Sequence, residues 1–125
     1  MKRTLTIHGR LDGFNDYITA CRTNPHAGAN FKARNEAAVI SAILSQMPNV
    51  RFSRPVYMTY RWYEPDRRRD LDNVSSFGRK VIQDALVKTQ VLQDDGWKNI
   101  KGFSDEFYVD RKHPRIEVEI TEVGT

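Results

Sequence analysis

Two pairs of acidic residues stand on either side of one predicted helix. Asp70 and Asp72 are two positions apart, so their carboxylates can point the same way in an extended or turning backbone. Asp94 and Asp95 follow after about the length of that helix. A carboxylate of the second pair, if it met the first pair, would complete an all-oxygen pocket. Such a pocket suits hard divalent cations, Mg²⁺ above all.

A run of three arginines lies directly beside the first acidic pair. Arg67, Arg68 and Arg69 precede Asp70 without a break, and guanidinium groups suit phosphate. Acids and arginines together indicate a metal-dependent enzyme that acts on a phosphodiester backbone. The alternative is a solvated charge run that only neutralises the neighbouring aspartates.

Both acidic pairs also have structural interpretations. An aspartate such as Asp70 is a good N-cap and favours the positive end of a helix dipole. One aspartate suffices for capping, however, and like charges held together cost free energy unless a cation neutralises them. Asp94 and Asp95 precede Gly96, an arrangement that is common in exposed turns. The spacing alone leaves the metal site and the structural interpretation open.

Composition and length place limits on the kind of protein. The 125 residues predict a single domain over 1–125, and 39% hydrophobic with 29% charged residues is ordinary for a soluble globular chain. The net charge of +4 is compatible with nucleic-acid binding. Cys21 is the single cysteine, which excludes an internal disulfide and fits a reducing compartment. No signal peptide or membrane span is visible, so we expect a cytoplasmic protein without membrane contact.

Hydrophobic periodicity predicts an α+β fold with three helices and a small mixed or antiparallel sheet. The element order is β-α-α-β-α-β-β. Residues 112–114 are expected to connect the last two strands as a hairpin, and the final strand alternates in a way that leaves one face of the sheet wet. The predicted strands are 2–8, 51–63, 97–110 and 115–122, and the predicted helices are 14–21, 29–47 and 71–89.

The third predicted helix has two distinct faces on a helical wheel. Its core face contains five small or apolar residues: Val74, Phe77, Gly78, Val81 and Ala85. Asn73, Lys80 and Asp84 fall on a separate stripe that leads away from the acidic pair. Lys80 and Asp84 are either part of a site on this stripe or an ordinary i, i+4 surface pair.

The same residues carry a resemblance to a known family. The segments 69–73 (Arg-Asp-Leu-Asp-Asn), 80–86 (Lys-Val-Ile-Gln-Asp-Ala-Leu) and 94–95 (Asp-Asp) resemble the RusA family of Holliday junction resolvases, small enzymes common in phages and prophages. The resemblance covers most of 64–110. It extends loosely to the N-terminal region, where Asn15 lies near a tyrosine, as in a family element that follows the first strand.

The resemblance implies a homodimeric endonuclease that resolves four-way DNA junctions in recombination and repair. The cofactor would be Mg²⁺, with Mn²⁺ possible, and it would activate water for attack on the phosphodiester. Asp70, Asp72 and Asp95 would be catalytic metal ligands, and Lys80 would be the active-site lysine. We expect DNA contacts from Lys80, Asn15 and the three arginines.

One departure from the family pattern concerns the spacing before Lys80. About four more residues separate Asn73 from Lys80 than in the shortest family members, which adds nearly one turn, or about 6 Å along the axis. This leaves the role of Lys80 less fixed than the roles of the aspartates. Two further readings stay open: a non-catalytic module that binds branched DNA, and a nuclease that acts on another DNA structure. The number of metals and any help from Asp84 or Asp94 also stay open.

Overall fold

The predicted order of strands and helices is confirmed in the computed structural model, which describes residues 1–124. The fold is α+β. Every helix within these residues is too short or too polar to span a lipid bilayer. The elements are β1 (Lys2–His8), α1 (Phe14–Thr23), α2 (Ala27–Gln46), β2 (Val56–Glu64), α3 (Leu71–Lys88), β3 (Ile100–Val109) and β4 (Arg115–Glu122).

The four strands form one mixed sheet in the order β1-β4-β2-β3. β4 is antiparallel to both β1 and β2, whereas β3 runs parallel to β2. The predicted hairpin between the last two strands is therefore wrong, because β2 lies between them. The reason is the connection through α3, which returns the chain so that β3 enters the sheet in the same direction as β2. The segment 110–114 then carries the chain past the end of β2.

One face of the sheet forms the core, and the helices cover it. Alternate residues along β1, β2 and β4 point to this face and are buried, as their period of two predicts. The opposite face is polar, and Arg61 there pairs with Glu106 and Glu119 at 3.3 Å each. The buried strand residues are Leu5, Ile7, Val56, Met58, Tyr60, Trp62, Ile116, Val118 and Ile120.

α3 packs against β2 through the face that the helical wheel predicts. All five predicted core residues are buried, and Gly78 explains how closely the two elements approach. A Cβ at Gly78 would lie 3.0 Å from the indole ring of Trp62. Because Trp62 is itself 1% exposed, little space exists to relieve such a contact. This close packing holds the middle of α3 against Trp62, near the end of β2.

Candidate active site

The first acidic pair lies at the start of α3. Asp70 is the N-cap residue, with extended backbone angles of φ −64° and ψ 154°, and Asp72 lies in the first helical turn. The Asp70 side chain makes no capping hydrogen bond. Within residues 1–124, neither carboxylate accepts a hydrogen bond or forms an ion pair, and both residues are exposed. The helix dipole stabilises these charges while leaving their oxygens available.

Asp70 lines a groove of about 840 Å³ between the start of α3 and the C-terminal halves of β2 and β3. We call this the acidic groove, because carboxylates outnumber cationic groups along its walls. Leu71 and Val74 contribute the α3 wall. The charged residues that line the groove are Glu64, Asp66, Arg67, Arg69, Asp70, Asp105 and Glu106.

The three arginines before Asp70 have different surroundings. Arg69 is turned inward, where Nη1 donates to the carbonyl of Leu11 at 3.1 Å and Nη2 lies 3.8 Å from Asp16. Arg68 is 90% exposed and lies 3.7 Å from Asp66. Arg67 is also exposed, at the rim of the acidic groove. Two of the arginines are therefore accessible, whereas the third joins the loop before α3 to the N-terminal region.

Asn73 connects the starts of two helices. Its Oδ1 accepts a hydrogen bond of 2.9 Å from the backbone N–H of Asn15, in the first turn of α1. A Cβ on Gly13 would lie 2.6 Å from the same oxygen, so glycine at that position permits the approach. Asn73 thus satisfies an orphan donor of α1 from a distant part of the chain. The exposed residue Asn15 is thereby placed beside the start of α3.

Lys80 stands between two carboxylates further along α3. Its Nζ lies 3.1 Å from Asp84 Oδ1 and 3.1 Å from Asp95 Oδ2. Asp84 is half-buried and also accepts a hydrogen bond of 2.5 Å from a second lysine, Lys32 of α2. Hydrogen bonds to Asp84 and Asp95 raise the pKa of the Lys80 ammonium above its ordinary value. The lysine is therefore held charged and oriented toward Asp95.

The partly buried Asp84 remains ionised because lysines surround it. Burial raises the pKa of this carboxyl, but hydrogen bonds from Lys32 and Lys80 outweigh burial and place the pKa below its ordinary 3.8. The network continues into α2 through buried Glu36. This carboxylate accepts a hydrogen bond of 2.5 Å from Lys88 and lies 3.6 Å from the ammonium group of Lys32. Asp84 thus belongs to the contact between α2 and α3, and it also holds Lys80.

The structure does not bring Asp70, Asp72 and Asp95 into one group. Asp72 and Lys80, the partner of Asp95, are separated by roughly two helical turns, or about 12 Å along α3. Across residues 1–124, no three His, Cys, Asp or Glu side chains are grouped so that they could hold a metal ion. Asp70 and Asp72 nevertheless fit Mg²⁺ as a pair, because this ion commonly takes one or two carboxylates together with water and substrate phosphate.

Asp95 lies in a second cavity, of about 320 Å³. We call it the Trp97 cavity. It contains Gln83 from α3 and the start of β3, and it shares no lining residue with the acidic groove. Its lining residues are Gln83, Asp95, Gly96, Trp97, Ile100, Lys101, Gly102 and Phe103.

Two residues that the sequence did not single out, Arg79 and Asp105, link the acidic groove, which Asp105 lines, to Phe103 of the Trp97 cavity. Asp105 accepts hydrogen bonds from Trp62 Nε1 at 2.9 Å and from Arg79 at 2.7 Å. The Arg79 guanidinium also stacks over Phe103, 4.5 Å from the ring centroid. One signal was available: Phe103, Asp105 and Phe107 alternate along β3, which places a carboxylate among apolar residues on the helix-facing side.

These observations define a small α+β domain with a carboxylate- and arginine-lined site at the junction of a strand and a helix. The sequence profile of the family described as Endodeoxyribonuclease RusA matches residues 19–121. The chain therefore belongs to the RusA family of endodeoxyribonucleases, and the resemblance predicted from its residues is confirmed. A search of curated proteins found no match.

Proposed function

We propose that this protein is a Mg²⁺-dependent endonuclease that resolves four-way Holliday junctions during DNA recombination and repair. The observation that carries the proposal is that Asp70 and Asp72, at the start of α3 in a chain of the RusA family, are exposed and have no ion-pair partner within residues 1–124. By contrast, Asp66 pairs with Arg68, Asp84 and Asp95 pair with Lys80, and Asp105 pairs with Arg79.

Asp70 and Asp72 would hold the divalent cation, with the DNA phosphate supplying a further oxygen ligand. Mn²⁺ would serve in place of Mg²⁺, because both accept oxygen donors. When bound, the ion would lower the pKa of a coordinated water and polarise the scissile phosphate. The positive end of the α3 dipole favours the same phosphate. These two residues therefore account for the placement of the reacting group.

Lys80 would stabilise the charge that develops on the phosphate oxygens during cleavage. Asp95, which the family resemblance implies as a third ligand, instead orients Lys80 in the structure. We propose that Asp95 acts through this lysine as a positioning residue. Asp84 provides the second contact that keeps the ammonium group in place.

DNA binding would depend mostly on phosphate contacts made by the accessible arginines. Arg67 lines the acidic groove, Arg68 lies 3.7 Å from Asp66 of the same groove, and Asn15 lies beside the start of α3. Arg69 would maintain the loop that presents them. A two-fold homodimer would place two such sites on opposite strands of a symmetric junction.

Cleavage of a synthetic four-way junction, with Mg²⁺ and with EDTA, tests the proposal. We expect paired nicks on opposite strands with Mg²⁺ and none with EDTA. Flap, fork and duplex substrates of the same sequences complete the panel. Junction binding without cleavage under any metal condition would instead identify a non-catalytic branched-DNA-binding module. Faster cleavage of another structure would identify a nuclease of different substrate preference.

A further inference from the structure

Trp97 is exposed to an extent that is unusual for tryptophan. It is 94% exposed, whereas Trp62, the other tryptophan of the chain, is 1% exposed. Trp is highly buried on average, so this exposed indole leaves a large apolar surface in contact with solvent. Trp97 follows Asp95 after one glycine and lines the same cavity as Asp95, which pairs with Lys80.

The backbone that carries Trp97 is held at both ends. The N–H groups of Asn99 and Ile100 both donate to the carbonyl of Gly96 at 3.0 Å. The carbonyl of Asn99 accepts a hydrogen bond of 2.9 Å from Val56, at the start of β2. The turn is thus joined to the sheet on its far side. Its indole is presented to solvent by a positioned backbone, which lowers the entropic cost of a contact with a ligand.

The surroundings of the indole combine aromatic and basic groups. Phe103 lines the same cavity, is 46% exposed, and has the Arg79 guanidinium stacked over its ring. Lys98 and Lys101 are exposed on either side of the start of β3. The acidic residue of the cavity, Asp95, is already neutralised by Lys80. The surface therefore offers ring faces together with positive charge.

We propose that Trp97 stacks on a nucleobase of the DNA substrate that is left unpaired at the crossover, while Lys98 and Lys101 contact the flanking phosphates. This inference rests on the proposed function. Exposed aromatic rings beside cationic groups suit unpaired bases, since every base has a π face and a neighbouring phosphate. Lysine is depleted at protein–protein interfaces, which argues against a second copy of the chain as the occupant. The stacked base would lie beside Asp95 and Lys80, roughly two helical turns along α3 from Asp72.

Tryptophan fluorescence tests the contact directly, in EDTA so that the DNA stays intact. Trp62 is buried, so a change at the exposed indole dominates the response. We expect strong quenching by a four-way junction and by an unpaired oligonucleotide, and little quenching by a matched duplex. Trp97→Ala should weaken junction binding about tenfold, as expected for the loss of one base–aromatic stack. Trp97→Phe should stay within about twofold of the wild type, and Trp97→Leu should resemble Trp97→Ala.

Several outcomes would overturn the inference. Equal quenching by duplex and junction would exclude an unpaired base. A blue shift of the emission with rising protein concentration, without DNA, would identify a second copy of the chain as the occupant. Absence of quenching while the wild type cleaves junctions would remove the stack and leave the proposed function standing. If the wild type does not cleave junctions, quenching by the unpaired oligonucleotide still supports the stack, and its absence refutes it.

Discussion

The two acidic groups along α3 contain the same residue type in opposite electrostatic situations. Asp70 and Asp72, at the start of the helix, are exposed and have no partner among the described residues. Asp84, further along α3, and Asp95, in the loop that follows the helix, share the ammonium group of Lys80. The first group can accept a cation from solution, whereas the second already holds one that belongs to the protein.

The difference follows from position rather than from residue type. At the start of α3, the helix dipole stabilises negative charge, so Asp70 and Asp72 need no side-chain partner. Asp84 lies half-buried against α2, where an unpaired charge would be costly. Lys32 and Lys80 offset that cost. Two of these four carboxylates are therefore already paired with lysine.

Removal of the carboxylate of Asp70 or Asp72 should cause the largest loss of cleavage. We expect Asp70→Asn or Asp72→Asn to lower junction cleavage on the order of 10³-fold, about 4 kcal/mol in the barrier, because the cation loses a ligand. Junction binding in EDTA should be unchanged or tighter, since a negative charge is removed. Cleavage assays and Mn²⁺ titration by electron paramagnetic resonance would measure both quantities.

Asp66→Asn is the matched control for these two variants, because Asp66 lines the same groove but is already engaged by Arg68. It should keep Mn²⁺ binding and most of the cleavage rate. Wild-type cleavage and Mn²⁺ affinity in Asp70→Asn would contradict the metal assignment.

Disruption of the contact between Lys80 and Asp95 should lower the cleavage rate by an intermediate amount. We expect Lys80→Ala to lower cleavage about 10- to 100-fold through lost charge stabilisation, and Asp95→Asn to lower it about tenfold through a poorly oriented lysine. If Asp95 acts through Lys80, Asp95→Asn keeps the wild-type Mn²⁺ affinity and Asp95→Glu restores the rate. Loss of Mn²⁺ binding in Asp95→Asn would show that it is a ligand, as the family resemblance implies.

The contact between α2 and α3 should depend on pH through Asp84. Its pKa is lower in the folded protein than its ordinary 3.8, so its stabilisation is present above that value and is lost as the pH falls through the folded pKa. We expect Asp84→Asn to lower the free energy of unfolding at pH 7 by about 1–3 kcal/mol, because two lysines lose a charged partner. Urea titrations at pH 7 and pH 3 should show the difference shrinking at the lower pH. An equal difference at both values would contradict this account.

Substitution of the accessible arginines should cause the smallest losses, and these should be losses of affinity for junction DNA. We expect Arg67→Ala and Arg68→Ala each to weaken junction binding by about two- to fivefold and to reduce the slope of log affinity against log salt by about one. Arg54→Ala is the control, since Arg54 is also exposed but precedes β2, at the opposite end of the strand from Arg67. A salt slope altered equally by Arg54→Ala would mean that the arginines act only through net charge.

Local patterns in the sequence predicted much of this architecture. The core face of α3 was visible because a helix repeats every 3.6 residues, and all five predicted members are buried. The strand positions were visible from alternation, although β2 begins at Val56 rather than at residue 51. The family was visible because its distinguishing residues lie close together in the chain, between Arg69 and Asp95.

What the sequence by itself determined is thus the set of elements, their buried faces, the family and the candidate residues. Only the tertiary structure decided that β3 pairs with β2, that Asp95 meets Lys80 rather than Asp70, and that Arg79 pairs with Asp105 at the wall of the acidic groove. The physical reason is the separation along the chain of the residues that determine each feature. Periodicity is a property of neighbouring residues, whereas strand partners and ion pairs depend on how the α3 crossover closes the chain on itself.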